Sequence, residues 1–171
     1  IRLRRGQIDE SPAPADRKVA DHARLNALLG LAESLGCRRQ VLLGYFGEAS
    51  EPCGKCDLCD RPALLFDATD AVRKALSAIL RTGEWFGAGH LIDILTGTPT
   101  PKVRERGHDQ LPTYAVGRDL SKPAWGAVFR QMMGRDLVRP DPDRHGALRM
   151  TDAARPVLRG EATVTLRRDT A

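Results

Sequence analysis

The sequence predicts a mainly α-helical chain in two parts. A helical hairpin that carries every cysteine comes first, and a winged helix follows, the helix-turn-helix variant with a short two-stranded wing. Three observations predict this. The four cysteines all fall in one early stretch, as Cys37 and then, after fifteen residues, Cys53, Cys56 and Cys59 at Cys-x2-Cys-x2-Cys spacing. Apolar residues recur at helical spacing in several separate segments. Two short strand-like runs near the end flank a turn made of Pro140, Asp141, Pro142, Asp143, Arg144, His145 and Gly146.

The elements follow in order. Ser11-Pro12-Ala13-Pro14-Ala15 has the composition of a linker, and Asp16 suits the N-cap of the next helix. Leu25, Leu28, Leu29, Ala32 and Leu35 give residues 17–35 one apolar face, and Gly36 suits a stop. A second helix is expected over 38–46, with Val41, Leu42, Tyr45 and Phe46 turned to the first and Arg38 and Arg39 outside. Residues 61–67 read as a connector. Thr69 or Asp70 then caps a helix whose stripe is Val72, Ala75, Leu76, Ile79 and Leu80, and Thr82-Gly83 ends it. A short helix over 88–95 turns Leu91, Ile92 and Leu95 inward. After the turn Thr96 to Pro101 comes a short polar helix, Lys102-Val103-Arg104-Glu105-Arg106, closed by Gly107. Ser121 caps a longer helix with Pro123 in its first turn, where proline is tolerated, and with Trp125, Val128, Phe129, Met132 and Met133 buried. Residues 136–139 and 147–150 form the ribbon. Thr151 caps a last helix to Leu158, and Pro156 lies deep enough in it to distort it. Residues 163–171 run out as a linker-like tail. The expected division is 1–66 and 67–171.

Four thiolates at this spacing suit a tetrahedral site for a soft metal, with zinc as the default. Gly54 gives the Cys53–Cys56 turn its backbone freedom. Two disulfides, an iron–sulfur cluster and a redox pair are the alternatives. The crowding of Cys53, Cys56 and Cys59 opposes the first. The ferredoxin run would continue to a fourth Cys where Asp60-Arg61-Pro62 stands, although Cys37 would supply one from a distance. The redox pair wants a strand–helix setting that Pro52, Gly54 and Lys55 do not suggest. A closed four-sulfur zinc site has no vacant position, so the metal is read as structural.

The 171 residues are 42% apolar, enough for a core, and no apolar run reaches membrane-spanning length. The formal charge is +5. Four thiolates and a divalent zinc would bring it to about +3, so the placement of charge matters more than its sum. Thr98, Thr100, Lys102, Arg104 and Arg106 gather around the short helix of the winged-helix half, where hydroxyls, amides and cations suit phosphate. That helix is taken as the recognition element. The competing reading is an ordinary solvated helix face. His145 at the wing tip can stack on a base, while Asp141 and Asp143 beside it oppose a basic finger. His108 next to Asp109 reads as a turn-stabilising hydrogen bond. Ile1-Arg2-Leu3-Arg4-Arg5 opens without Met or an apolar leader, as in a piece excised from a longer protein in a reducing compartment.

Three motif sets resemble the RecQ family of DNA helicases, in the region carboxy-terminal to the motor. They are Cys37-Arg38-Arg39-Gln40-Val41-Leu42-Leu43-Gly44-Tyr45-Phe46-Gly47-Glu48, then Pro52-Cys53-Gly54-Lys55-Cys56-Asp57-Leu58-Cys59, and a third set of three segments. Those segments are Gly107-His108-Asp109-Gln110-Leu111, Val116-Gly117-Arg118-Asp119, and Leu148-Arg149-Met150-Thr151-Asp152-Ala153-Ala154-Arg155-Pro156-Val157-Leu158-Arg159-Gly160.

The resemblance implies a zinc-binding module held by Cys37, Cys53, Cys56 and Cys59. It also implies a winged helix that grips duplex, forked or guanine-quadruplex DNA, to which Arg118 would add a contact. The parent would be an ATP-dependent 3′-to-5′ helicase of repair and recombination, with residues 1–16 closing its second motor lobe. The chain has no Gly-x4-Gly-Lys-Ser/Thr loop and no Asp-Glu-x-His box, so ATP and Mg2+ would belong to motor domains outside it. A monomer in the bacterial cytoplasm, near the nucleoid and joined in cis to the motor, is the expectation. A zinc-containing winged-helix transcription regulator and a protein-interaction module are the alternatives.

Overall fold

The computed structural model describes residues 2–168. Helix α1 (Arg2–Asp9) lies against α2 (Ala15–Ala32). Arg5 donates to Asn26 Oδ1 at 2.6 Å, and His22 Nε2 stands 2.6 Å from Asp9 Oδ1. Asp16 is inside the first turn of α2 rather than at its cap, which is Pro14 without a side-chain bond. The helix stops at Ala32, three residues before the expected Leu35. Helix α3 (Arg38–Tyr45) then begins with Cys37 at its N-cap.

Neither α2 nor α3 contains a buried residue. Val41, Leu42, Tyr45 and Phe46, expected against the first helix, are 38%, 46%, 55% and 74% exposed. The face that turns inward carries Cys37, 6% exposed, so the hairpin closes around sulfur rather than around an apolar seam.

Short helix α4 (Asp57–Asp60) ends the cysteine loop. The expected connector at 61–67 contains strand β1 (Leu65–Asp67), and the expected tail contains its partner β4 (Thr165–Arg167), paired antiparallel with Phe66 opposite Leu166. Leu166 is fully buried, which anchors β4 to the core. Residues 169–171 of the expected tail lie outside the described residues. Strand β1 straddles the expected division at 66/67.

Helix α5 (Thr69–Arg81) supplies the core stripe. Ala71, Val72, Ala75, Leu76, Ala78 and Ile79 are buried, whereas Leu80, at the edge of the stripe, is 39% exposed. Neither expected residue is the cap: the N-cap position is Ala68, and Asp67, two residues before the helix, accepts from the Thr69 amide through Oδ1 at 2.9 Å. Helix α6 (Ala88–Thr96) ends at Gly97 with φ +68, a left-handed cap suited to glycine. Helix α7 (Pro101–Glu105) follows, and then α8 (Lys122–Gly134). Ser121 accepts from the Ala124 amide at 3.3 Å as α8's N-cap. Trp125 is fully buried, with its indole N–H donating to Gly117 O at 2.7 Å.

The wing is β2 (Val138–Asp141) and β3 (Ala147–Met150), antiparallel with Arg139 opposite Arg149. Beyond it the expected last helix is broken. A 3-10 turn covers Asp152–Ala154, and α9 (Arg155–Arg159) starts afresh with Pro156 in its first turn, where the missing amide costs nothing. Thr151 makes no side-chain capping bond; its hydroxyl donates to Asp136 O at 2.5 Å instead, with Leu137 O at 3.2 Å.

The two halves meet where α2 packs on α8 and where α1 approaches residues 142–144, and Glu33, just past the end of α2, makes the polar joint. Its carboxylate pairs with Arg167 at 2.8 Å and lies 3.8 Å from Arg130. Gln131 of α8, 1% exposed, accepts from the Arg167 amide and donates to the Arg167 carbonyl, each at 3.0 Å, and so completes the edge of β4.

Candidate metal centre and nucleic-acid interface

The four cysteines converge. Cys37 comes from the start of α3, Cys53 from the extended approach, Cys56 from the N-cap of α4 and Cys59 from within it. Gly54 at φ +64 makes the turn between the second and third. All four sulfurs lie within 4.8 Å of one another, and Cys53 and Cys59 are 4.0 Å apart. A zinc tetrahedron with bonds of about 2.3 Å has edges of roughly 3.8 Å, so the cluster fits the ion with only a small contraction.

The electrostatics agree. The Cys53 amide donates to Cys37 Sγ at 3.3 Å, and that bond leads the causes that hold the Cys37 thiol down at about 6. Cys59, hydrogen-bonded to Cys56 and desolvated, is pushed up to about 11. Four bare sulfurs this close share charge poorly, and a divalent cation relieves that.

Arg38, expected on the outer side of its helix, is part of this centre. Its guanidinium forks onto Asp57 at 2.7 and 2.8 Å and donates to Leu31 O at 2.7 Å, tying the end of α2, the start of α3 and the cysteine loop together. Arg38 holds the Asp57 carboxyl below its usual range.

The second candidate surface surrounds α7. Thr100 caps the helix by accepting from the Val103 amide at 3.3 Å, and Val103, fully buried, pins it to the body. Thr98 Oγ1 lies 2.9 Å from Thr96 Oγ1. Lys102, Arg104 and Arg106 are exposed, and none of the three forms an ion pair among the described residues. Lys102 Nζ stands 5.3 Å from the Phe86 ring centre. Arg118 is also exposed, and its guanidinium packs over Gly97, where a Cβ would come within 2.9 Å of Nη2. The structure thus brings Arg118 to the start of the Thr98–Arg106 segment. His145 stands elsewhere, exposed on the wing with φ +54.

Two expectations change here. His108 does not serve Asp109. Its Nδ1 lies 2.8 Å from His90 Nε2, and both rings contact Phe86, with centroids at 4.9 and 4.3 Å. Burial, then the neighbouring His108 and Lys102, lower His90 to about 4. Asp141 is not a free acidic group on the wing either. It accepts from the Asp143 amide at 3.0 Å and lies 3.4 Å from Arg149 and 3.7 Å from Arg144. The His90–His108 pair and Arg38 left no sequence signal, since each partner is distant along the chain.

A closed four-sulfur centre in a helical hairpin, joined to a winged helix, defines a zinc-binding two-module chain. A family model described as RecQ zinc-binding matches residues 1–60, and one described as RQC domain matches residues 62–171. The chain belongs to the RQC domain family and is a carboxy-terminal region of RecQ type, with structural zinc. It is 37% identical to the ATP-dependent DNA helicase RecQ of Pasteurella multocida, over 92% of this chain and 25% of the relative. It is also 37% identical to that of Haemophilus influenzae, over 92% of this chain and 26% of the relative. With that of Bacillus subtilis it shares 27% identity over 96% of this chain and 28% of the relative. The chain therefore spans about a quarter of the length of the curated relatives it matches. Neither the transcription regulator nor the interaction module is favoured by these matches. No helix among the described residues is long and apolar enough to cross a membrane.

Proposed function

We propose that this chain is the DNA-binding accessory region of a RecQ-type 3′-to-5′ DNA helicase that acts in repair and recombination in the bacterial cytoplasm, at the nucleoid. Residues 1–66 form the zinc module, with Cys37, Cys53, Cys56 and Cys59 as ligands, and residues 67–171 grip DNA. The motor that would bind ATP and Mg2+ acts in cis. The observation that carries the DNA reading is the exposed row Lys102, Arg104 and Arg106, none of them ion-paired among the described residues although Glu105 lies between the two arginines, with Arg118 brought beside its start. Such cations answer phosphate, so binding is sequence-independent and covers duplex, fork and quadruplex. Thr98 and Thr100 add hydroxyl contacts, His145 contacts the duplex from the wing, and the chain acts as a monomer.

The test is a binding isotherm on blunt duplex at several salt concentrations. Affinity falls steeply with salt, and the Arg104→Ala, Arg106→Ala double variant loses about two from the logarithmic salt slope, equally on unrelated sequences. A slope that is flat in the unaltered chain overturns the reading; a slope unchanged in the variant removes α7 from the interface.

A further inference from the structure

The loop between α5 and α6 joins the two parts of the proposed DNA surface. On one side it is stitched to the wing: Leu148 N donates to Phe86 O at 3.0 Å, and Met150 N donates to Glu84 Oε1 at 2.8 Å. On the other side Phe86 meets α7 and the turn after it, through Lys102 and His108. Trp85 stands between these two attachments and contributes nothing to the core, being 61% exposed. The wing residue Arg144 lies over the indole, with Cζ 4.0 Å from the ring centre. Arg144 is itself fixed, donating to Glu84 O at 3.4 Å and lying 3.7 Å from Asp141. The ring is held by a cation it did not need for folding, and most of its surface stays open to solvent.

We propose that Trp85, backed by Arg144, is a stacking platform for an unpaired nucleobase where a duplex opens into single strand. An indole face accepts any base, and a guanidinium alongside suits the phosphate that accompanies it. Two cations at this loop, Arg144 on the indole itself and Lys102 over the adjacent Phe86 ring, favour a nucleic acid over an apolar peptide as the occupant. The platform rests on the DNA-binding reading above but assigns a different ligand part, the base rather than the backbone. It also places the ring that meets opened strands on the α5–α6 loop, against the short wing rather than within it.

The chain has two tryptophans, and Trp125 is fully buried, so emission that a soluble quencher reaches belongs to Trp85. The zinc-loaded 171-residue chain is titrated with a blunt duplex and with a fork of the same duplex bearing single-stranded arms. The fork quenches Trp85 and the blunt duplex does not. Trp85→Ala weakens the fork about tenfold and the blunt duplex less than about twofold, and Trp85→Phe restores most of the difference. A fork with abasic residues at the junction is bound equally by both proteins. Equal fork affinity of the unaltered chain and Trp85→Ala overturns the platform and leaves the phosphate row standing. Failure of the unaltered chain to bind either DNA at low salt overturns both.

Discussion

The two halves of this chain are helical for different reasons. In α5 six residues of thirteen are buried, and Val72, Ala75, Leu76 and Ile79 see no solvent at all. In α2 and α3 none is buried, and the side chains Val19, Leu28, Leu42 and Tyr45 stand largely in water. The winged helix is therefore stabilised by apolar burial. The hairpin has little of that and depends on four sulfurs, the Arg38–Asp57 fork and the joint at Glu33. Amphipathic spacing proves a helix but not the partner of its apolar face. In a short hairpin a metal can do the work that a core does elsewhere.

Metal removal gives the largest expected effect. Zinc binding contributes about 10–16 kcal/mol in small zinc modules, far more than the hairpin's partial burial can replace. A strong chelator unfolds the region up to about residue 60 and leaves the winged helix folded. Hydrogen exchange read peptide by peptide will locate the loss. Chelation that leaves α2 and α3 protected would mean their packing suffices, and the contrast would collapse.

The complementary experiment hollows the other half. Leu76→Ala removes a fully buried side chain from the centre of α5 and costs about 2–5 kcal/mol. Its effect should fall on the winged-helix transition in thermal melting, with zinc stoichiometry unchanged. Zinc loss in that variant would show that the two halves fold as one.

How much of this was legible follows the same divide. The core helices were readable because their periodicity and their burial coincide: Ser121, Trp125, Val128, Phe129 and Met132 sit where the spacing put them. The metal centre was readable because its ligand spacing is a chemical constraint, independent of packing. What spacing alone could not show were partners far apart in sequence. Strand β1 finds β4 a hundred residues on at the pair Leu65 and Arg167, and three-residue strands carry no usable alternation. Val41, Leu42, Tyr45 and Phe46 were assigned to the first helix on pattern alone, and the actual closure, through Cys37 and Arg38, is polar. Trp85 has no periodic neighbours, so only its exposure in three dimensions distinguishes it.

A pH titration separates the halves again at an intermediate scale. His90 titrates at about 4 in the folded chain and near 6.5 when unfolded, because burial and then the neighbouring His108 and Lys102 disfavour its charge. Between those values the unfolded chain binds more protons, so stability rises with pH through that window and is fully present above about 6.5. Acidification to pH 4 should cost the winged helix on the order of 2–3 kcal/mol through this group. His90→Phe, which can keep the stack on Phe86, should flatten that limb. An acid limb of unchanged steepness in the variant would assign the loss to other groups.

The smallest effect lies at the joint. Glu33 reaches Arg167 at 2.8 Å with both side chains about four-fifths covered, and it also approaches Arg130. A partly buried pair of this kind contributes about 1 kcal/mol, a sum too small to hold either half folded. Its consequence is coupling rather than stability. With Glu33 present, β4 and the end of α2 share a partner, and β4 is tied both to the core through Leu166 and to the zinc module through Arg167. Glu33→Ala should lower the winged-helix melting temperature by only a few degrees. It should also raise exchange of the amide at position 33 and of β4 together, without altering zinc affinity. A variant in which the residue-33 amide loosens while β4 stays as protected as before would mean that the pair does not couple the two elements, and that β4 is held by Leu166 and Gln131 without help from the end of α2.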